Sequence, residues 1–273
     1  MIRNVLSIAG SDPSGGAGIQ ADLKAFAARG VFGMAALTAL TAQNTQGVSG
    51  VHLVPAAFVA DQIKAVFADV RVDAVKIGMI ANAEIAAAVA DVLQHHRDIP
   101  VVLDPVMVAK GGAKLLDPDA VNVLTRRLLP LATLLTPNLP EAAALLDVDP
   151  AESRQAMADQ ALALLALGPA AVLVKGGHLP GDQSPDVLAT SDGLRWFEAD
   201  RVPTANTHGT GCTLSSALAA ELAKGATLQQ AVAAAKAYLG GAVAAADTLD
   251  VGSGHGPVQH FHQFWQTQEG YSK

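Results

Sequence analysis

Short apolar runs alternate along the chain with longer segments in which Ala and Leu recur at helical spacing. The short runs are apolar throughout, which indicates strands of a parallel sheet that is covered on both faces. The predicted strands cover residues 5–9, 34–42, 74–77, 101–103, 133–135 and 171–174. The helices predicted between them cover about residues 17–29, 55–70, 82–96, 119–128, 139–145 and 151–167.

The pattern changes after residue 175. Residues 186–190 and 194–199 flank an Asp-Gly step, which predicts a hairpin, and two Ala-rich helices follow at about 212–224 and 228–247. Alternating strands and helices predict right-handed crossovers and a doubly wound α/β sandwich. We find no linker or repeat and expect one domain over residues 1–273, with its site at the carboxyl ends of the parallel strands.

Composition limits which ligands the protein is expected to bind and in which cellular compartment it is expected to occur. The net charge is −7 and aromatic residues make up only 4% of the chain, so nucleic acid is not an expected partner, whereas small anions remain possible. The apolar runs are too short for a membrane helix of about 20 residues. A single cysteine and an N-terminus without a signal-peptide pattern predict a cytoplasmic protein.

The most informative segment is a glycine-rich turn before an Ala-rich helix. Gly209 and Gly211 flank Thr210, and Cys212 follows at the expected helix start. Glycines let the backbone approach a ligand, and the free amides of the first helical turn can hold an anion. A thiol at a helix start has a pKa that tends to fall below about 8.5, so Cys212 could take a proton from an alcohol. The alternative is a simple glycine turn with a small buried cysteine.

A second glycine-rich segment, residues 10–22, directly follows the first strand. It lacks the Lys-Ser or Lys-Thr of a P-loop and the dinucleotide fingerprint. One interpretation is a lid and floor for a substrate, with Asp22 accepting hydrogen bonds from an amine or hydroxyl. The other is a tight turn between strand and helix.

Acidic and amide groups follow two neighbouring strands. Asp104 ends one strand, and Asn138 and Glu141 follow the next. Oxygen ligands at such strand ends suit Mg²⁺, although lone Asp and Asn residues here are often only helix caps or turn formers. Lys175 lies beside two glycines and is suited to reach a phosphate; alternatively, it is a solvated lysine in a β-turn.

Five histidines do not form a recognisable metal-binding pattern. They lack cysteine or carboxylate partners at zinc-ligand spacing, and we interpret them as structural or surface residues. These are His95, His96, His255, His260 and His262.

Taken together, these segments resemble the hydroxymethylpyrimidine kinase/phosphomethylpyrimidine kinase family of thiamine biosynthesis, within the ribokinase-like superfamily. The resemblance runs almost from end to end, in family order. It is carried by SIAGSDPSGGAGIQADLKAF, TALTAQNTQGV, VKIGMI, VVLDPVMVAKGGAKLL, LLTPNLPEA, VLVKGGHL, THGTGCTLSSALAA and GSGHGPVQHF.

This resemblance implies a ribokinase-like three-layer α/β/α sandwich with a mostly parallel central sheet, and ATP across the strand ends. It makes residues 209–212 an anion hole, with Cys212 in the place where sugar kinases have an aspartate base. The implied substrate contacts are Asp22, Gln43, Met79 and Val106. The implied phosphate and nucleotide contacts are Asn138, Lys175 and Lys236, and the implied Mg²⁺ residues are Asp104 and Glu141.

The family implies two successive phosphoryl transfers from ATP to 4-amino-5-hydroxymethyl-2-methylpyrimidine, and a homodimer. The nearest alternative is a pyridoxal kinase, because both substrates are flat heteroaromatic rings with a hydroxymethyl arm. A non-catalytic vitamin-binding protein would have lost the anion hole, the lysine or the acids, all of which are present. A dehydrogenase would need the dinucleotide fingerprint.

Overall fold

The computed structural model describes residues 1–107 and 118–265. In this part of the chain, a central sheet runs in the order β10-β9-β8-β7-β6-β5-β1-β2, and β3 and β4 form a separate two-stranded sheet. The strands are β1 Asn4–Ala9, β2 Phe32–Leu37, β3 Ala39–Asn44, β4 Gly47–Leu53, β5 Ala74–Ile77, β6 Val101–Leu103, β7 Leu134–Leu135, β8 Val172–Lys175, β9 Asp186–Thr190 and β10 Gly193–Phe197.

The central sheet reverses its direction of winding at β1. Strands β2, β1, β5, β6, β7 and β8 are parallel, and the β9–β10 hairpin extends the sheet in the antiparallel sense. The chain leaves β1 for β2 on one side and returns to place β5 on the other. The loops after β1 and β5 therefore diverge, which opens a crevice at their carboxyl ends.

Helices cover both faces of the sheet. The described helices are α1 Gly18–Ala28, α2 Ala56–Asp69, α3 Ala83–Leu93, α4 Pro118–Val123, α5 Leu139–Leu146, α6 Arg154–Leu165, α7 Thr210–Ala223 and α8 Leu228–Ala244. Helices α2 to α6 contribute to one apolar core, and α1, α7 and α8 contribute to the other. The predicted three-layer α/β/α sandwich with a mostly parallel sheet is confirmed.

One predicted strand is two strands in the structure. The apolar run at 34–42 breaks at Thr38, whose hydroxyl donates to the carbonyl of Met79 at 2.6 Å. Strand β2 ends before this residue, and β3 turns away from the central sheet to pair with β4. The sequence did not reveal β4 because its glycines, serine and histidine obscure the strand pattern.

The helix predicted at 119–128 is also interrupted. Helix α4 is followed by a π-helical turn at Leu124–Leu128 and a 3₁₀ turn at Leu129–Leu131, which contains Pro130. Proline lacks an N–H and prevents a regular helix from continuing. The predicted hairpin and the last two helices are confirmed to within about three residues. Residues 108–117, which include the last nine residues of the VVLDPVMVAKGGAKLL segment, lie outside the described residues.

Candidate active site

Two adjoining cavities lie at the carboxyl ends of the parallel strands. The first has a volume of about 620 Å³, and the loops after β1, β5 and β6 and the start of α7 contribute to its lining. The second has a volume of about 410 Å³ and lies between β8, the loop before α7, and α8. Both cavities are lined by Asn138, Lys175 and Gly211. A molecule in one cavity can therefore meet a molecule in the other.

The start of α7 forms the boundary between the cavities. Gly209 precedes the helix with a φ of 79°, a left-handed conformation that favours glycine. A Cβ atom here would also overlap the carbonyl oxygen of Gly16. The amides of Thr210, Gly211 and Cys212 belong to the first turn, where N–H groups lack intrahelical partners. This turn therefore offers N–H donors and the positive end of a helix dipole to an anion.

Cys212 lines the first cavity and is half-buried. Burial raises the pKa of this thiol to about 11, although the Lys76 ammonium and the backbone N–H of Gly18 act in the opposite direction. The predicted pKa below 8.5 is wrong, because the cost of burying a thiolate outweighs the favourable donors around it. Cys212 is a thiol at neutral pH in the ligand-free site.

A buried cluster of two carboxyl groups and one lysine lies at the other side of the first cavity. The Nζ atom of Lys175 is 2.9 Å from Oδ1 of Asp104 and 3.9 Å from Oε2 of Glu141. Burial opposes ionisation of Asp104, but Lys175 and Lys76 outweigh it and lower the pKa of that carboxyl. Burial, reinforced by the charge of Asp104, raises the pKa of Glu141 to about 7.

Asn138 and Glu141 cap helix α5 reciprocally. The Asn138 side chain accepts from the backbone N–H of Glu141 at 2.9 Å, and the Glu141 carboxylate accepts from the N–H of Asn138 at 2.8 Å. The helix-cap interpretation of these residues is therefore correct. Both residues also line the first cavity, so the cap fixes their positions beside Lys175.

The carboxylates fit a lightly coordinated Mg²⁺ better than a protein-enclosed metal. Within the described ranges, no group of three or more His, Cys, Asp and Glu side chains is arranged to hold a metal ion. Asp104 and Glu141 nevertheless line the first cavity as a pair. Mg²⁺ commonly uses one or two carboxylates and completes its shell with water and substrate phosphates.

Asp12 organises the loop over the first cavity. Its carboxylate accepts hydrogen bonds from the backbone of Gly16 and Ala17 and from the side chain of Ser14. Its Oδ2 atom is also 2.7 Å from Nε2 of His208. Burial alone would raise the pKa of Asp12, but the His208 and Ser14 hydrogen bonds lower it to about 2. This carboxylate therefore ties the loop after β1 to the loop before α7.

The same network fixes the amide of Gln43. The hydroxyl of Thr41 lies 2.9 Å from the carbonyl of Ser11 and 3.2 Å from Oε1 of Gln43, which accepts from it. Nε2 of Gln43 lies 3.4 Å from Nε2 of His208, which is itself 2.7 Å from the Asp12 carboxylate. The Gln43 amide is therefore held between Thr41 and His208.

A C-terminal clasp, residues 252–258, joins the hairpin of β3 and β4 to the same site. The N–H of Gly254 donates to the hydroxyl of Thr45 at 3.2 Å, in the turn between the two strands. The N–H of His208 donates to the carbonyl of Gly256 at 3.0 Å. The clasp therefore contacts both the hairpin that carries Gln43 and the loop that carries the anion site.

The structure corrects the role predicted for Asp22. This carboxylate has no exposed surface and does not line either cavity. Its oxygens accept from Lys76 at 2.8 and 2.9 Å, from Ser7 at 2.6 Å and from Ser216 at 2.7 Å. Asp22 therefore lies beneath the cavity floor and does not contact a substrate directly.

The remaining predicted residues lie at the cavities. Met79 and Val106 line the first cavity with Gln43. Lys236 lines the second, where its Nζ atom is 2.6 Å from the carboxylate of Asp186. The described site thus brings together each predicted residue except Asp22.

Sequence reasoning missed three residues. Lys76 could have been recognised from the sequence, because it stands inside a short apolar strand and a lysine is almost never buried there without an oppositely charged partner. His208 directly precedes the recognised glycine turn, but its partner Asp12 is 196 residues away in sequence. No local pattern connects residues at that separation.

Comparison with known proteins identifies the family. A model of the phosphomethylpyrimidine kinase family matches residues 12–259. The chain belongs to this family. The hydroxymethylpyrimidine/phosphomethylpyrimidine kinase of Salmonella typhimurium is 57% identical over 262 residues, which cover 96% of this chain and 98% of that relative.

Solved structures agree with this assignment. A phosphomethylpyrimidine kinase from Clostridium difficile is 41% identical with a TM-score of 0.77, covering 87% of this chain and 97% of the other. A Bacillus subtilis pyridoxal kinase in complex with ADP is 36% identical with a TM-score of 0.89, covering 96% and 99%. The family predicted from the motifs is confirmed, and with it a bifunctional kinase that uses ATP as co-substrate. No helix in the described residues of this family member could span a membrane.

Proposed function

We propose that this enzyme transfers the γ-phosphoryl group of ATP to the hydroxymethyl group of 4-amino-5-hydroxymethyl-2-methylpyrimidine, and then transfers a second phosphoryl group to the monophosphate. The observation that carries the proposal is the first cavity. Gln43, Met79 and Val106 line it together with the amide donors at the start of α7. That combination suits a flat polar ring whose alcohol arm approaches a phosphoryl group.

The pyrimidine occupies the part of the first cavity near Gln43. An amide offers both a donor and an acceptor, which matches the exocyclic amine and adjacent nitrogen of the ring. His208, which is held by Asp12, contacts this amide and limits its orientation. Met79 and Val106 provide apolar contact with the ring.

ATP occupies the second cavity with its phosphates directed towards the first. Asn138 and Lys175 line both cavities, so they are placed to contact the phosphates. Lys236 lies further into the second cavity and borders the nucleotide. Its pairing with Asp186 holds it at the cavity wall.

Asp104 and Glu141 would hold Mg²⁺ directly or through water, and the ion would neutralise phosphate charge when bound. The charges of the cluster support this assignment, because two carboxylates share one lysine. Ionised Asp104 and Glu141 therefore leave one net negative charge, which a divalent cation would offset. An ion near Glu141 would also favour its ionised form.

In the first transfer, the alcohol oxygen forms a bond to the γ-phosphorus while the bond from that phosphorus to the bridging oxygen of ADP breaks. The alcohol proton passes to Cys212 in the fraction of the enzyme whose thiol is ionised; that fraction is small at neutral pH because burial raises the thiol pKa to about 11. Lys175 and the amides of residues 209–212 stabilise the charge on the transferred group. In the second transfer the acceptor is an ionised phosphate, so it needs no base.

The test follows the products over time. The purified protein is incubated with ATP, Mg²⁺ and the hydroxymethylpyrimidine, and the monophosphate and diphosphate are measured by mass spectrometry. We expect the diphosphate to appear after the monophosphate. Omission of Mg²⁺ with a chelator present should stop both steps, whereas unchanged rates would remove the metal from the proposal.

A second candidate activity is phosphorylation of pyridoxal. It is favoured by the likeness to the Bacillus subtilis pyridoxal kinase, which extends over nearly the whole of both chains. Pyridoxal is therefore measured in parallel with one enzyme stock. Monophosphate alone, with pyridoxal as the faster substrate, would replace the pyrimidine proposal and leave the role of Gln43 without support.

We further propose that the enzyme is a cytoplasmic homodimer. Large apolar side chains are exposed around the β3–β4 hairpin and α2, and a second copy would cover them. They are Phe32, Leu40, Val51, Leu53 and Phe58. Light scattering of the wild type and of Leu40→Asp tests this, because a charged residue in the interface should produce monomers. A monomeric wild type would contradict the proposal.

A further inference from the structure

A buried ion pair lies beneath the floor of the first cavity. Lys76, on β5, has no exposed surface, and its Nζ atom is 2.8 and 2.9 Å from the two carboxylate oxygens of Asp22 on α1. A buried ion pair is weak evidence for stability, because the loss of hydration of the two charges can outweigh their mutual attraction. The pair is instead notable for its position, because Lys76 lines the cavity beside Cys212 and Asp22 accepts a hydrogen bond from Ser216 on α7.

Asp22 is saturated with hydrogen bonds. Besides Lys76, Ser7 on β1 donates to its Oδ2 atom and Ser216 on α7 donates to its Oδ1 atom. Three elements of the fold, β1, β5 and α7, therefore hold this carboxylate in place. The Lys76 ammonium has three N–H donors, and it donates to both carboxylate oxygens of Asp22. The carboxylate thus anchors the ammonium while leaving it donor capacity.

The ammonium lies on the same side as Cys212. Lys76 and Cys212 both line the first cavity, whereas Asp22 does not. Gly78 leaves space for the ammonium, because a Cβ atom at that position would lie 2.7 Å from Nζ of Lys76. The charged end of Lys76 therefore reaches the carboxyl end of β5, below the reacting groups.

Four charged side chains act on the Cys212 thiol or are influenced by its ionisation. Two are cationic and two are anionic: Lys76, Lys175, Asp22 and Asp104. Lys76 exerts the largest influence in favour of the thiolate, and the charge on Cys212 in turn raises the pKa of Lys76. Lys175 is committed to Asp104 at 2.9 Å. Ser216 lies one helical turn after Cys212 on α7 and donates to the same Asp22 oxygen that accepts from Lys76, which places the ammonium below the face of α7 that carries the thiol. Lys76 is thus the cation placed to offset the burial of the thiolate.

We propose that Lys76, anchored by Asp22, is a positioning residue that keeps the thiolate of Cys212 available as the base of the first transfer. The inference rests on the proposed function, in which the thiolate accepts the proton of the substrate alcohol. Lys76 itself exchanges no proton during that step. Its ammonium stabilises the anionic sulfur before the proton arrives.

The test uses the fact that Cys212 is the single cysteine of the chain. Alkylation by iodoacetamide, followed by mass spectrometry as a function of pH, therefore reports this thiol alone. The test variant is Asp22→Asn/Lys76→Met, which removes both charges so that neither is left unpaired.

The control variant is Arg29→Met/Glu221→Gln. This second ion pair connects the end of α1 to α7, with Nε of Arg29 2.8 Å from Oε1 of Glu221, and it lies away from the cavity. It reproduces the loss of an ion pair anchored on α1 without changing the charges beside the thiol.

We expect the thiol pKa of the test variant to rise by about one pH unit, so that alkylation at pH 8 slows about tenfold. The control variant should keep the wild-type profile. The kcat of the first transfer should fall by about the same factor in the test variant, with the second transfer less affected. A test variant with the wild-type alkylation profile would overturn the proposal.

Gly78→Ala covers the case in which the test variant does not fold. It leaves every charge in place but displaces the ammonium, so we again expect slower alkylation; an unchanged rate would overturn the proposal. Alkylation requires no substrate. A protein that fails to phosphorylate the pyrimidine would therefore refute the proposed function, while the thiol measurements would still decide the electrostatic role of Lys76.

Discussion

At the scale of single residues, the site is built from side chains whose usual ionisation is altered by burial. The pKa of Cys212 is raised to about 11, that of Asp12 is lowered to about 2, and that of Glu141 is raised to about 7. Each shift has a local cause in the structure, either burial or a donor at hydrogen-bonding distance. The protonation states of these three groups therefore depend on the side chains packed around them.

Replacing Cys212 by Ala separates the two phosphoryl transfers. We expect the rate of the first transfer to fall about 10²-fold, because a general base typically contributes at least that factor. The second transfer should change much less, because its acceptor is already ionised. Single-turnover measurements with each acceptor test this. An equal loss in both steps would show that the base assignment is wrong or incomplete.

His260 makes the folded protein less stable as the pH falls into the mildly acidic range. Burial lowers the pKa of this imidazole to about 4, and its Nε2 atom lies 3.0 Å from the hydroxyl of Thr213. Between pH 6.5 and 4 the unfolded chain gains a proton that the folded chain does not, so stability falls as the pH falls. From pH 7 to pH 5 this loss is about 2 kcal/mol.

Denaturant unfolding of His260→Gln at the two pH values measures this contribution. Because glutamine does not titrate, the variant should lose about 2 kcal/mol less than the wild type between pH 7 and pH 5. His52→Gln serves as a control, since His52 is exposed on β4. Parallel pH profiles for wild type and His260→Gln would contradict the assignment.

At the scale of elements, regular structure was predictable wherever the local pattern and the tertiary packing agree. The buried strands β1, β5 and β6 are mainly apolar, and the hairpin of β9 and β10 has a strong turn signal. The β3–β4 hairpin was missed because one of its strands looks like a continuation of β2 and the other is polar. Local sequence cannot show that a strand leaves its sheet.

The candidate site was predictable to a similar extent. Residues 209–212 and Lys175 stand in recognisable motifs, and the structure brings them to the cavities. The buried position of Asp22 and the raised pKa of Cys212 were not predictable. Both depend on which side chains the fold places around these residues, and those come from distant segments of the chain.

The turn before α7 yields a prediction about its first glycine. Gly209→Ala introduces a Cβ atom in a left-handed conformation and against the backbone of Gly16. We expect kcat/KM to fall about 10²-fold, because displaced amides no longer stabilise the transferred group. The free energy of unfolding should fall by at least about 1 kcal/mol.

Gly225→Ala is the matched control for this change. Gly225 follows the other end of α7 with a φ of 88°, but a Cβ atom there would meet nothing within 4 Å. The control should therefore lose about 1 kcal/mol of stability and keep its activity. Equal losses of activity in the two variants would show that the effect comes from general destabilisation.

At the scale of the whole molecule, the two cores are joined by the central sheet. One core lies under α2 to α6 and the other under α1, α7 and α8, and strands such as β5 contribute residues to both. Loss of either helical layer would expose one face of every shared strand. We therefore propose that residues 1–273 form a single cooperative domain.

Thermal unfolding tests this proposal. Circular dichroism and tryptophan fluorescence, to which Trp196 in contact with the core under α6 contributes, should report one transition with a common midpoint. The measurement belongs in ligand-free buffer, since bound nucleotide would stabilise the folded form. Two separated midpoints would show that the layers unfold independently.

The C-terminal clasp has a consequence for the order in which the site assembles. Residues 252–258 bind the turn of the β3–β4 hairpin and the loop before α7, so two walls of the first cavity are held by a segment that follows α8 in the chain. The central sheet uses strands only up to residue 197, so its pairings do not include this segment. The sheet can therefore form before the cavity is complete, and the cavity walls reach their final positions only when the clasp docks.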